Sequence, residues 1–391
     1  MNPAITVFLK EVTENLRDRK TVMNALVMGP LLGPLLFALM MGFIISKQLS
    51  SAEKPLEIPV AGAEHAPNLV GWLERQGVKV LAAPDDAEAT LRARDARAVL
   101  TIPPSYGEHW SKGQTAQVEV VFDSSDQDSR APVARLSGLL EAYGRQHAAL
   151  RVSARGLHPA ILSPVQVAQS DVASTQQRAG QLLAFLPYLL ILGAFLGGMY
   201  LAIDTTAGER ERQSLEPLLA NPATRAQIVQ GKLGATFSFA MASMMLSLVT
   251  FAIAFQYIPL DRLGMKVDFG AGLILRAGLL MVPLVMVFAT LQTIVAAYAK
   301  SYREAQTYLS LLMLLPMMPS IILMINPMKG ETWMSAVPLL SQNVLVMSLA
   351  RGETVPLLDF ALSFGSSLLL ALVLGWIAVR IYHREQLAVS A

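Results

Sequence analysis

The chain has 391 residues, 53% of them hydrophobic and 15% charged, with a mean hydropathy of +0.45. Soluble domains carry about 25% charged residues, so this composition excludes an ordinary soluble protein and points to the membrane. A formal net charge of +2 gives nucleic acid no electrostatic footing, and the lack of cysteine excludes a disulfide scaffold and thiolate metal sites.

The predicted elements begin with residues 1–21, where Ile5, Phe8, Val12 and Leu16 lie near one side and Lys10, Arg17 and Arg19 are among the charges. That pattern suits an amphipathic elbow helix at a cytoplasmic membrane surface; a simple polar tail is the plainer alternative. Residues 22–45 form the first apolar stretch. It is too long for a signal-peptide core and lacks a small-residue cleavage site after it, so it reads as an uncleaved anchor. Five more stretches follow at 182–203, 233–255, 277–297, 305–325 and 360–379, none with a Lys, Arg, Asp or Glu. Each is close to the ~20 residues that cross a bilayer core.

Positive charge orients them. Lys10, Arg17, Arg19, Lys20, Arg210, Arg212, Arg225, Lys232, Lys300, Arg303, Arg380 and Arg384 flank one side; Arg262, Lys266, Arg276, Lys329 and Arg351 flank the other. The bias places both termini in the cytoplasm and residues 46–181 outside.

That outside segment alternates strand-like runs (58–61, 78–82, 98–102, 118–122) with helical ones (68–76, 87–94, 106–112, 128–155), which suggests a small α/β domain. The expected fold is therefore an α-helical integral membrane protein: six transmembrane helices, with an α/β extracytoplasmic domain inserted between helices 1 and 2. Asp123, Asp126 and Asp128 fall close together, yet the spacing of a calcium loop fails. Asp123 and Ser124 read instead as turn or N-cap residues. The histidines of this segment, His65, His109, His147 and His158, read as ordinary surface residues.

The polar groups within the spans are few, chiefly Asn24, Gln292 and Gln306. With Gln342 and Asn343, in a short helix expected over 338–347, they are the candidates for a translocation path. No ionisable group lies at mid-membrane, where one would mark a functional site. Pro187, Pro283, Pro316 and Pro319 read as packing kinks. Gly193, Gly197 and Gly198 permit close helix approach, within one subunit or between two.

Residues 182–391 carry the later spans and, at 204–232, a charged loop. The helix of the second span is expected to run on through Glu209, Arg210, Glu211 and Arg212. Ser214 then caps a short helix with Leu215, Leu218 and Leu219 on one face and Glu216 beside them. Asn221 is expected to cap the next helix, with Pro222 at its first position. A juxtamembrane anchor and a docking knuckle for a soluble partner both fit this pattern.

The run Gly208-Glu-Arg-Glu-Arg-Gln-Ser-Leu-Glu-Pro-Leu-Leu219, followed by Asn-Pro-Ala-Thr-Arg225, Gly231-Lys232 and the Pro-Leu-Leu-Ser-Gln-Asn segment at 338–343, resembles ABC-type exporter permeases of the type-2 class. Within that class the chain is most similar to the NatB-type sodium-efflux permeases. Gln213-Ser214 stands where the usual pattern has Gly-Thr. The resemblance implies a bacterial inner-membrane subunit that pairs with a second permease, identical or paralogous. It also implies a separate ABC ATPase, which binds the ATP and Mg; no cofactor is expected on this chain. In that arrangement Leu215 and Leu218 enter the ATPase groove, and Glu209, Arg212 and Glu216 make polar contacts around it. The chain has no Gly-x4-Gly-Lys-Ser/Thr loop of its own, since Lys232 is followed by Leu233. The cargo that the resemblance implies is sodium, with a lipid, drug or other amphiphile as the alternative. A membrane sensor fits less well, because no inside segment is long enough for an output domain. An intramembrane enzyme would need paired catalytic side chains in the spans.

Overall fold

The computed structural model describes residues 2–84, 86–165, 182–214, 222–258, 269–326 and 330–382, together with residues 168, 170, 174 and 260. The chain divides into two compact units, Lys47–Asp171 and the remainder.

The smaller unit contains a four-stranded sheet in the order β2-β1-β3-β4: β1 Leu56–Ala61, β2 Val78–Leu81, β3 Val99–Thr101 and β4 Glu119–Val121. β1 runs parallel to β2 and β3, and β4 is antiparallel to β3. Helices Pro67–Arg75 and Ala87–Arg92 make the crossovers that parallel pairing requires. Ile58, Val60, Leu100 and Ile102 of the sheet pack with Leu69 and Leu73, and with Leu136 and Tyr143 of the long helix Arg130–Ser153. Gly62 ends β1 at φ +77°, where a Cβ would collide with the Ile102 carbonyl oxygen, so only glycine fits.

The three aspartates are engaged within the protein, and Arg97 lies within 3.7 Å of Asp128 as well as beside Asp126. Asp123 accepts from the Ser125 backbone and hydroxyl, Asp126 pairs with Arg97 at 2.6 Å, and Asp128 pairs with Lys47 at 3.0 Å. His147 departs from the surface expectation: it is half-buried against Tyr143 and Trp110, with ring centroids 4.3 and 5.1 Å away.

Among the described residues six helices are long and apolar enough to cross a membrane: Arg19–Lys47, Leu183–Glu211, Arg225–Phe255, Ala271–Tyr298, Tyr302–Leu323 and Leu357–Tyr382, spans 1 to 6 in order. An elbow helix, Pro3–Arg17, precedes them, capped by Asn2 with Pro3 in its first turn. Span 2 is the most enclosed helix and span 5 the least. Gly193, Gly197 and Gly198 face Ser247, Ser243 and Gln292 of spans 3 and 4. A Cβ at Gly193 would stand 2.7 Å from the Ser247 hydroxyl, and one at Gly198 would stand 2.7 Å from Gln292 Oε1. The glycines thus serve packing inside one chain.

Two segments wind wider than an α-helix, with π-type i→i+5 bonds: Met23–Leu32 in span 1 and Asp204–Gly208 in span 2. The prolines act differently from one another. Pro187 lies in the first turn of its helix, where no bond is lost, and Pro283 sits inside a continuous helix. Span 5 is interrupted at Met313, between helices Tyr302–Leu312 and Leu314–Ile325. Pro316 follows that break and has no N–H to return to Leu312, which accounts for it. Span 3 begins at Arg225 in a capping box in which Thr224 and Gln227 bond reciprocally. Pro222 therefore precedes the helix, and Thr224 takes the capping role expected of Asn221. The latter lies outside the described residues.

Candidate functional site

The most unusual chemistry in the larger unit lies where the elbow helix crosses the ends of spans 2 and 3. Glycine sets the approach: a Cβ on Gly231 would stand 2.7 Å from the Val7 side chain and 2.8 Å from the Ala4 carbonyl oxygen. With the helices this close, the elbow buries the stripe Val7, Glu11 and Asn15, spaced one turn apart. Ile5, Leu9 and Leu16, on another side, stay exposed. The elbow therefore turns Glu11 and Asn15 inward beside Val7, Phe8 and Val12, and leaves three large apolar side chains outside.

Glu11 meets Lys232, which is fully buried, and Glu209, which is nearly so. The Lys232 ammonium donates to Glu209 Oε2 at 2.5 Å and to the Thr205 carbonyl at 2.5 Å, and it lies 3.4 Å from Glu11 Oε1. Lys10, half-exposed, closes the cluster, 3.1 Å from Glu209 Oε1 and 3.2 Å from Glu11 Oε1. Two ammonium and two carboxylate groups make a neutral quartet, which is how charge becomes tolerable away from water; at its rim Lys10 also pairs with the exposed Glu14 at 3.4 Å. Burial pushes the Glu11 carboxyl above its ordinary range, against the pull of Lys232. Burial also acts to lower Lys10, but the carboxylates of Glu11 and Glu209 outweigh it and hold the ammonium well above its ordinary value.

The segment beyond Glu209 is tied on its other sides. Arg212 forms an ion pair with Asp204 at 2.8 Å, which raises the guanidinium further. Arg210 reaches the Ala299 carbonyl at the end of span 4, and Glu211 accepts from the Tyr302 N–H at the start of span 5 at 2.7 Å. Gln213 turns the chain at φ +56°, the left-handed region, and Ser214 donates from both its N–H and its hydroxyl to the Glu209 carbonyl. Gln213 thus occupies the geometry a glycine suits best, and Ser214 uses the hydroxyl that a threonine would also offer.

The helix runs through Glu211, with Arg212 as its cap. Glu209 faces inward, whereas Arg212 stays exposed. Leu215, Glu216, Leu218 and Leu219 lie outside the described residues. Lys232, Glu11 and Lys10 belong to the site, although in the sequence Lys232 and Lys10 stood out only as positive charges and Glu11 did not stand out.

The candidate path residues do not converge. Asn24 is half-buried in the wide turn of span 1, and Gln306 is exposed on span 5. Gln292 is buried and donates to the Phe195 carbonyl of span 2 at 2.7 Å. Gln342 and Asn343, on the short helix Leu340–Ala350, belong to a separate network. Gln342 donates to Ser363 and Ser367 of span 6, and Ser320 of span 5 donates to Asn343 Oδ1 at 2.6 Å. Among the described residues no cluster of His, Asp or Glu is placed to hold a metal ion.

Six apolar helices among the described residues, an elbow and this tied junction agree with one comparison. A family model described as ABC-2 family transporter protein matches residues 27–380. The chain belongs to that family. It is also 25% identical over 358 residues to the ABC transporter permease protein NatB of Bacillus subtilis (strain 168), covering 90% of each chain. As an ABC-2 permease it is a membrane subunit of an ABC transporter, a role that implies an ABC ATPase as its partner.

Proposed function

We propose that this permease is the membrane-spanning half of an ATP-driven exporter and that it takes the stroke of its ATPase through 204–232. In this reading both termini are cytoplasmic, the membrane is the bacterial inner membrane, and residues 46–181 form an extracytoplasmic domain. Two permease subunits, identical or paralogous, stand over two ATPase subunits that hold ATP and Mg. The observation that carries the coupling role is the buried quartet. Through Lys232 and Glu209, a push on the segment beyond Glu209 reaches the elbow, span 2 and span 3 together. Arg210 and Glu211 pass it to spans 4 and 5.

Sodium is the proposed cargo. The resemblance supports it, and so does the buried Gln292 Oε1, a neutral oxygen of the kind a hard cation prefers, which has no hydrogen-bond partner among the described residues. An amphiphile is the second reading, favoured by the exposed apolar face of span 5 at Leu311, Leu314, Leu315, Met318 and Ile322. Vesicles holding the permease with its ATPase distinguish them. ATP-dependent movement of radioactive sodium is the expected result; ATP turnover that moves a lipid or dye but no sodium overturns the cargo assignment. For coupling, Leu215→Asp and Glu216→Arg are expected to abolish export and permease-stimulated ATPase activity. Normal values of both in these variants would sink the coupling role.

A further inference from the structure

The wide turn Asp204–Gly208 has a structural role that membership of the family does not assign. In it the Glu209 N–H donates to the Asp204 carbonyl, five residues back, instead of the usual four. Such a turn holds one more residue than an α-turn and is seldom stable without support from its surroundings. Here it has two straps. On the buried side the Lys232 ammonium bonds at once to the Thr205 carbonyl, at the start of the turn, and to Glu209 Oε2, just past its end. On the exposed side Arg212 bonds to both the side chain and the carbonyl of Asp204. Gly208 leaves room between them, because a Cβ there would stand 3.1 Å from Asp204 Oδ1.

We propose that Lys232 is a positioning residue that holds this turn open, and that its release lets the turn tighten to α and rotates Glu209–Arg212. Adding or removing one residue from a helical turn rotates everything beyond it by about 100° and shifts it by about 1.5 Å. That motion replaces the contacts of Arg210 with Ala299 and of Glu211 with Tyr302, so the corner between spans 4 and 5 senses which winding is present. Because Glu11 and Lys10 share the quartet, a displaced elbow loosens the inner strap. A partner that claims Arg212 loosens the outer one. The device rests on the coupling reading for its purpose, but its geometry belongs to the permease alone and is measurable without the ATPase.

The chain has no cysteine, so two labels can be placed on an otherwise unaltered background. Gln213→Cys and Arg303→Cys, both at exposed positions, carry spin labels in the full-length permease in lipid nanodiscs. The double substitution Glu209→Gln with Lys232→Met removes the inner strap without leaving an unpaired buried charge. It is expected to add a second distance population shifted by several ångströms, on the scale of the ~100° rotation, and faster amide exchange over 205–212. Lys232→Arg, which keeps the charge and the donors, is expected to retain the parent distribution. So is Glu209→Gln alone, whose amide oxygen still accepts from Lys232 while the bond from Lys232 to Thr205 remains. Asp204→Asn is a milder check on an accessible side chain and is expected to populate the second distance in part. A parent-like distribution and parent-like exchange in the double variant overturn the proposal, as does an equal shift in Glu209→Gln alone. Failure of the coupling reading appears separately, as unaltered ATPase stimulation in Leu215→Asp with Lys232 intact.

Discussion

Lys232→Met tests the buried quartet most directly. The substitution keeps much of the volume of the side chain and deletes only the ammonium, so the packing changes little. What remains is two nearly buried carboxylates, Glu11 and Glu209, facing each other with only the half-exposed Lys10 to balance them. Removing one member of a buried pair typically costs about 3–5 kcal/mol, because the other is left uncompensated. The Thr205 carbonyl also loses its donor, at about 1–3 kcal/mol if no water replaces it. Because Lys10 still lies beside both carboxylates, the lower end of the sum, about 4 kcal/mol, is expected. Taking about 2 °C per kcal/mol for a domain of this size, the midpoint of thermal unfolding in detergent should fall by roughly 8 °C. Glu209→Gln keeps Lys232 bonded to Thr205 and to Glu11, and its cost should stay near 1–2 kcal/mol.

The diagnostic quantity is the coupling between the two. In the double variant only Lys10 and Glu11 stay charged, and they pair with each other at 3.2 Å. The double variant should then be more stable than Lys232→Met alone, with a coupling energy of about 2 kcal/mol in the cycle. A fall of less than 2 °C for Lys232→Met, or strictly additive losses, would refute the claim that the quartet is a closed unit of compensated charge.

Other parts of the molecule give independent tests. Gly231→Val places branched atoms against Val7 and Ala4; the elbow should detach, read as new tryptic cleavage at Arg17 and Arg19 in the folded protein. Gln342→Leu removes the donor to the Ser363 and Ser367 hydroxyls, of which Ser363 keeps its bond to Ser341, and should cost about 1–3 kcal/mol, seen as a lower unfolding midpoint. In the smaller unit, burial acts to raise the Asp126 carboxyl, but the Arg97 guanidinium outweighs it and holds the group below its ordinary value of 3.8. A depressed carboxyl contributes stability above that value and loses it as pH falls through the folded pKa. Asp126→Asn should therefore flatten the stability profile below about pH 4, whereas a profile identical to the parent's would remove Asp126 from the acid response. Gln213→Gly relieves a left-handed residue and should stabilise by about 1 kcal/mol, again read as the unfolding midpoint.

How much of this was legible beforehand depended on the range of the interactions. The strands and helices of the smaller unit were readable because local alternation and turn residues set them. β2 at Val78–Leu81 and the helix Pro67–Arg75 fall within a residue or two of the runs expected from sequence. The apolar spans were readable for the same reason, since length and lack of charge are local properties. Span 5 shows the limit: its apolar run is continuous, yet Pro316 divides it at Met313, and periodicity alone does not say which of four prolines will break a helix.

The quartet was illegible for a deeper reason. Lys232 stands at the edge of an apolar run, where a positive charge ordinarily marks a membrane boundary, and Glu11 is one charge among several on an amphipathic helix. Nothing local separates a lysine that reaches toward headgroups from one that is fully buried. The separation comes from Gly231, which lets the elbow lie close enough to bring Glu11 across 221 positions of chain to Lys232. The adjacent Gly231-Lys232 is thus informative as a pair: the glycine admits the partner helix and the lysine bonds to it. That logic predicts an asymmetry. Substituting Gly231 should remove the elbow and the quartet together, whereas substituting Lys232 should weaken the quartet and leave the elbow held by Val7 and Phe8. If Lys232→Met exposes Arg17 to protease as fully as Gly231→Val does, the elbow is held by charge alone and the role assigned to the glycine is wrong.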